Sequence, residues 1–238
     1  EEKYYLTFCV SGKAQFLIAE SNSPCGPFEN IRRITYKGER IDAIDPGALV
    51  DDDGRVYISI PKPFRIGELD PATGYSTIIE DSIVSVAHLT ETSPDGYYDF
   101  EGPSLRKFNG KYYFIYIASK PGEILPVRMN YLISEDIRTG WRFGGTVVDT
   151  EHYLCGVNVH GSMEAFGGKY YLSHHRVAPG FPSYVTREMS MEELHIREDG
   201  TIVGLVDTRW NCACENGNHA IRIGGDNYTV GLTNYDPE

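Results

Sequence analysis

The stretch Gly110-Lys111-Tyr112-Tyr113-Phe114 reads as a turn feeding a strand, and it recurs along the chain. Its counterparts are Lys3-Tyr4-Tyr5-Leu6, Gly54-Arg55-Val56-Tyr57-Ile58, Gly168-Lys169-Tyr170-Tyr171-Leu172 and, more loosely, Asp226-Asn227-Tyr228-Thr229-Val230. Anchored on Tyr5, Tyr57, Tyr113, Tyr171 and Tyr228, the intervals are 52, 56, 58 and 57 residues, a spacing too regular for accident, which marks structural repeats. Within each repeat, apolar runs rich in Tyr, Val and Ile stop at Asp-Gly, Asn-Gly or Gly-Gly turns. Helical periodicity is nearly absent. Met189 to Leu194 suits a short helix about as well as a strand entering the turn Glu198-Asp199-Gly200. Strand-rich units of this length point to an all-β fold, a β-propeller, because radial packing buries both faces of each sheet and leaves only short edges. A two-sheet sandwich would explain the strands and not the period.

The repeats divide the 238 residues into a partial blade at 1–40, blades at about 41–95, 96–150 and 151–206, and a partial blade at 207–238, all within a single domain. The two partial blades complete one another, or a second copy of the chain completes the ring as a homodimer. The spacing does not choose between these.

Composition sets further bounds. Lys and Arg number 22 against 34 Asp and Glu, a net charge of −12 that argues against nucleic-acid binding by phosphate neutralisation. Seventeen Tyr and 25 Gly describe a folded, turn-rich protein rather than a disordered one. No apolar run approaches the length of a membrane span, and Glu1-Glu2-Lys3 does not open a signal peptide, so a soluble chain without a membrane partner is expected. Cys212-Ala213-Cys214 is too tight for paired zinc spacing, and the five cysteines read as mostly reduced thiols, which leans towards the cytoplasm. Secretion stays open, since residues upstream of Glu1 would change that reading.

The acidic residues are not evenly spread. Asp45, in Ile44-Asp45-Pro46-Gly47, and Glu101, in Phe100-Glu101-Gly102-Pro103, each precede their anchor tyrosine by 12 residues. Equivalent positions in adjacent blades converge on a propeller axis, so two carboxylates far apart in sequence would face one substrate. A turn former alone has no need of an identical offset. His160, in His160-Gly161-Ser162, lies 11 residues before Tyr171 and shares this register, which suits a metal ligand or a water-organising group. Asp51-Asp52-Asp53-Gly54 reads as an acidic hairpin turn rather than a cation loop. His174 and His175 adjoin on a strand and so point to opposite faces; one lines the pocket, with His175 the candidate and Phe100 a second candidate sugar contact. Trp141, Trp210, Tyr97, Tyr98 and Phe181 suit sugar stacking or core packing, with core the commoner use.

Taken as a set, these stretches resemble glycoside hydrolase family 43, whose fold is a five-bladed β-propeller. The matching segments are Ile44-Asp45-Pro46 with Asp51-Asp52-Asp53-Gly54-Arg55-Val56-Tyr57, then Phe100-Glu101-Gly102-Pro103-Ser104-Leu105 with Gly110-Lys111-Tyr112-Tyr113. His160-Gly161-Ser162, Gly168-Lys169-Tyr170-Tyr171 and Arg187-Glu188 ahead of Asp199-Gly200-Thr201-Ile202 continue the order. The resemblance implies an inverting, exo-acting glycosidase of xylose- or arabinose-containing plant cell-wall oligosaccharides, β-xylosidase or α-L-arabinofuranosidase-like. It implies Glu101 as general acid and Asp45 as the carboxylate that raises the acid's pKa and orients it. Arg187 would bind sugar hydroxyls and carboxylates, and His160 would hold, directly or through water, a central cation, often calcium. The family's base, an Asp of the first blade, has no counterpart here, and the chain reads as lacking that blade. It is a fragment, or a partner subunit supplies the blade, or the C-terminal segment replaces it with Glu215 (less readily Asp236) as base. The competing reading is a non-catalytic carbohydrate-binding propeller that kept the acid and lost the base.

Overall fold

The computed structural model describes residues 3–10, 13–123, 127–150, 159–177, 187–203, 219–222 and 229–232. The first sheet joins β1 (Tyr4–Val10), β2 (Lys13–Ser21) and β3 (Glu29–Arg33) in that order. The second is built from β4 (Thr35–Tyr36), β5 (Glu39–Arg40), β6 (Gly47–Val50), β7 (Val56–Ile60), β8 (Arg65–Leu69) and β9 (Thr77–Ile78), in the order β5-β4-β9-β8-β7-β6, with β10 (Val84–Ser85) pairing on β8. A one-turn helix, α1 (Ala87–Thr90), follows. β11 (Tyr98–Phe108), β12 (Lys111–Ser119), β13 (Val127–Ser134) and β14 (Arg142–Asp149) make a four-stranded meander. So do β15 (Gly161–Phe166), β16 (Lys169–Val177), β17 (Arg187–Ile196) and β18 (Ile202–Val203); β19 (His219–Arg222) pairs with β20 (Thr229–Leu232).

These successive meanders are the sheets that the tyrosine period predicts. Tyr57, Tyr113 and Tyr171 lie on β7, β12 and β16, the second strand of each four-stranded run, and Tyr5 lies on β1. Tyr228 falls outside the described residues. The helical alternative for Met189 to Leu194 is excluded, because β17 pairs with β16 from Arg187 to Leu194. One unit forecast as four strands carries an addition: β4 joins β9 in parallel, extending the second sheet by a small hairpin. No described helix is long and apolar enough to cross a membrane.

Contacts divide the chain into two compact units, Glu1–Glu91 with Asp99–Tyr116 and Ile133–Arg142, and Thr92–Tyr98 with Ile117–Leu132 and Phe143–Glu238. In the first unit the core of sheets one and two is Phe16, Ile18, Ile34, Ile58, Ile60, Leu69 and Ile78, all nearly inaccessible. Phe64, Phe114 and Tyr116 form an aromatic cluster, with Trp141 edge-on to Phe114 and its indole N–H donating to the Ile137 carbonyl at 2.9 Å. Trp141 is therefore half-buried against this cluster with its indole N–H satisfied. In the second unit the Tyr97 ring lies under Arg128 at 4.1 Å, and Arg128 pairs with Asp149 at 2.8 Å and Asp95 at 3.4 Å. Tyr97 also belongs to the core.

Within the first unit, β6 and β11 run side by side in the same direction, each at the edge of its own sheet. The Gly102 N–H donates to the Asp45 carboxylate at 3.3 Å, and the buried Ser59 hydroxyl lies 3.1 Å from the carbonyls of both Gly47 and Pro103. Further along, Arg106 donates to the Ala48 carbonyl at 3.5 Å, and Lys107 pairs with Asp51. So close an approach leaves no room for a side chain at Gly47, where an added Cβ would stand 2.6 Å from the Pro103 oxygen and 2.7 Å from Ser59 Oγ. Gly47→Ala should therefore destabilise the chain by about 2 kcal/mol or more, read as a lower urea midpoint at unchanged slope.

Candidate active site

Asp45 and Glu101 are brought together by that seam. Asp45 precedes β6 with φ of 60°, a left-handed conformation that Asp tolerates better than most residues. Held there, its carboxylate accepts from the peptide N–H between Glu101 and Gly102. Gly102 also has positive φ, 63°, immediately before Pro103, and it turns the backbone so that this N–H faces Asp45. Glu101 is half-buried on β11. The matching sequence offsets thus have a physical origin: two neighbouring edge strands bring Asp45 and the backbone beside Glu101 to one level.

The far end of the seam explains the acidic turn. Asp51 caps the β6–β7 turn, with its amide donating to Arg55 O at 2.8 Å and its carbonyl accepting from Gly54 N at 2.9 Å. Its carboxylate takes the Lys107 ammonium and, at 2.5 Å, the Tyr112 hydroxyl. Burial pushes this carboxyl up, but Lys107, Tyr112 and the Asp52 amide together hold it below the ordinary aspartate value. Asp51-Asp52-Asp53-Gly54 is thus a hairpin turn whose first carboxylate locks two sheets.

Phe100 is half-buried, with the Lys62 ammonium 5.3 Å from its ring centre, so one flank of the ring is occupied by a cation. Burial, reinforced by the Glu91 charge, pushes the carboxyl of the neighbouring Asp99 above the ordinary value.

His160, His174 and His175 lie in the second unit. His174 and His175 point to opposite faces, as alternation requires. His174 is buried, its Nε2 3.0 Å from the Glu192 carboxylate. His175 faces the other way and stacks on His160, ring centres 5.6 Å apart and planes 17° from parallel, while its amide donates to the His160 carbonyl at 3.0 Å. Gly161 next to His160 repeats the close packing of Gly47: a Cβ there would meet the Ser173 carbonyl at 2.5 Å. Arg187 opens β17 opposite Val177. Glu215, Asp236, Trp210 and Phe181 lie outside the described residues.

Calcium takes six to eight oxygen ligands. The described surroundings of His160 include a second imidazole, and among the described residues no group of three or more His, Cys, Asp or Glu could hold a metal ion. Cys9 and Cys25 are free thiols.

Two residues that the sequence left unremarked shape the site. Ser59 sits inside the apolar strand Val56–Ile60, where nothing marks it as a tie between sheets. Asp99 could have been found from its place two residues before Glu101 on the same strand.

Successive antiparallel sheets, with the Asp45 carboxylate held on the backbone beside Glu101, define the class of β-sheet protein. Residues 1–202 match the model of glycosyl hydrolases family 43, and the chain belongs to that family. It is 26% identical to a xylosidase/arabinosidase of Thermoclostridium stercorarium, the match taking in 84% of this chain and 47% of that one. It is 22% identical to a beta-xylosidase of Xylanibacter ruminicola, over 84% of this chain and 70% of that one. The chain spans about half the length of the first of these relatives. In fold it resembles a family 43 arabinoxylan arabinofuranohydrolase from Bacillus subtilis, crystallised with cellotetraose, at a TM-score of 0.65 and 21% identity over 85% of this chain and 46% of that one. A β-xylosidase/α-arabinofuranosidase from a compost metagenome, crystallised with xylotriose, gives a TM-score of 0.64 at 21% identity over 85% of this chain and 69% of that one.

The Asp51 cluster yields a pH test. A carboxylate held below its unfolded value contributes stability that is present above about pH 4 and is lost as pH falls through its folded value. Asp51→Asn should therefore lower the urea midpoint at pH 7, and the gap to the parent should narrow as the buffer is taken below pH 4.

Proposed function

We propose that the chain is a glycoside hydrolase acting on xylose- or arabinose-containing oligosaccharides, with Glu101 as general acid and Asp45 as its partner. The observation that carries this is the Asp45 carboxylate resting on the peptide N–H next to Glu101, 3.3 Å away. A negative charge so close disfavours ionisation of Glu101 and keeps its proton available at neutral pH, the condition for general-acid work. The hydrogen bond from Gly102 orients the Asp45 carboxylate, and a donated N–H favours the charged form of its acceptor. The relatives' activities, on xylosides and arabinosides, support the substrate class.

In the proposed reaction the Glu101 proton passes to the glycosidic oxygen as the bond to the anomeric carbon breaks. A water oxygen bonds to that carbon from the opposite face, with inversion, and the water's proton goes to a carboxylate other than these two. Glu215 is the candidate that the sequence register offers for this base. Arg187 and His175 are assigned to sugar hydroxyls. A five-bladed ring, closed within the chain or by a second copy, is the architecture this reading expects.

The test is hydrolysis of aryl β-xyloside, aryl α-L-arabinofuranoside and xylan- or arabinan-derived oligosaccharides by the chain and by Glu101→Gln. The parent should hydrolyse at least one. The variant should lose about 10²- to 10⁴-fold on oligosaccharides and less on aryl glycosides, whose leaving group needs little protonation. No hydrolysis of any of these by the parent overturns the enzyme reading, and a variant as active as the parent on oligosaccharides overturns the acid assignment.

A further inference from the structure

In the first unit, at the end of β6 remote from Asp45, a cavity of about 280 Å³ opens between the β6–β7 turn, the β11–β12 hairpin and the β13–β14 turn. Tyr57 of β7 lines it and is only 2% exposed, yet among the described residues its hydroxyl makes no hydrogen bond. The charges acting on that hydroxyl are Glu68, Arg55, Arg138 and Asp53, and all but Glu68 line the same cavity, so the hydroxyl points into it. Tyr112, the other phenol of the cavity, has its hydroxyl 2.5 Å from the Asp51 carboxylate. A buried hydroxyl without a partner costs about 1 to 3 kcal/mol. The cavity in front of Tyr57 is where a partner from outside the chain would stand.

The groups around the hydroxyl say what that partner is. Burial and the Glu68 charge push the Tyr57 phenol up, so it stands as an O–H donor at neutral pH. Arg138 gives one terminal nitrogen to Glu68 at 2.7 Å, and Arg55 forks onto Asp53 at 2.6 and 2.7 Å. Their charges are answered, while further N–H groups of Arg138 remain as donors. Asp136 has one carboxylate oxygen on the Arg138 amide at 2.7 Å and Asp52 has one on Lys107 at 2.9 Å, which leaves each a second oxygen as acceptor. Five carboxylates line the cavity against three cations, an excess that repels an anion. Donors and acceptors intermixed, with the cations already paired, suit a neutral ligand that carries several hydroxyls. Ligand pockets begin at roughly 300 Å³, so the space suits one sugar ring rather than a length of chain.

We propose that this cavity is a second carbohydrate site, apart from the Asp45–Glu101 pair, in which the Tyr57 hydroxyl donates to one neutral sugar unit held also by Arg138, Asp52 and Asp136. The choice of a xylose- or arabinose-containing polymer as its source rests on the proposed function; the geometry of the site does not. A polysaccharide gripped here stays on the chain without occupying the reacting pair.

Affinity electrophoresis through soluble arabinoxylan reads this binding, and aryl glycoside hydrolysis reads the reacting pair. Tyr57→Phe removes the hydroxyl alone, and Asp52→Ala trims a side chain that is 86% exposed, so both variants should fold. Each should weaken retention in arabinoxylan about three- to tenfold and leave kcat/KM on aryl glycosides unchanged. Tyr57→Phe should also melt no lower than the parent, because the hydroxyl has no partner within the chain to lose. A parent that arabinoxylan does not retard overturns the inference, as does either variant retarded as strongly as the parent or losing hydrolysis in step with retention. A parent held more firmly by polygalacturonate than by arabinoxylan marks an anion site and overturns it too, and so does a lower melting temperature for Tyr57→Phe. A parent that hydrolyses nothing, yet is retarded through Tyr57 and Asp52, removes the glycosidase reading and supports this site.

Discussion

The constraint on which the candidate site depends is the parallel seam between β6 and β11. Two edge strands from different sheets have no ladder to hold them, so their backbones are tied by side chains at intervals along the seam. The Ser59 hydroxyl, shared between two carbonyls, sits beside the site, and the Lys107–Asp51 pair with its Tyr112 hydroxyl closes the other end. Between them the absent side chain of Gly47 lets the strands touch. Sliding either strand by one residue would reverse the facing of every side chain on it and separate Asp45 from Glu101. The catalytic geometry proposed for this pair is thus set by packing several residues away from either carboxylate.

Polar ties of this kind suit a repeated-sheet architecture. Each sheet buries apolar strands such as Val56–Ile60 and Lys111–Ser119 for cohesion, which is non-directional and would accept more than one register. Direction comes from the few hydrogen-bonded groups among them. Arg128 between Asp149, Asp95 and the Tyr97 ring plays the corresponding part in the second unit, as does the Tyr131 hydroxyl that accepts from the Ile202 amide at 3.0 Å.

Much of this was legible in the sequence because tyrosine-bearing second strands recur where a turn must precede them. Tyr57, Tyr113 and Tyr171 gave the sheet count of their region, and the equal offsets of Asp45 and Glu101 gave their shared level. The facing of His174 and His175 followed from alternation alone. Met189 to Leu194 stayed ambiguous because its apolar residues satisfy both periods, and the pairing of β17 with β16 decides a matter that local pattern does not. Ser59 was illegible for a different reason: its role is a contact with Pro103, 44 residues away, and a serine in an apolar strand has the same local signature whether or not it has such a partner.

The left-handed backbone of Asp45 narrows what can stand at that position during sequence drift. Glycine would relieve the conformation and discard the carboxylate, asparagine would keep the conformation and discard the charge, and glutamate would keep the charge on a longer arm less suited to positive φ. Conformation and charge each admit a short list of residues, and aspartate alone is on both. Conformation and charge thus act on one residue together, and each substitution there gives up one or the other.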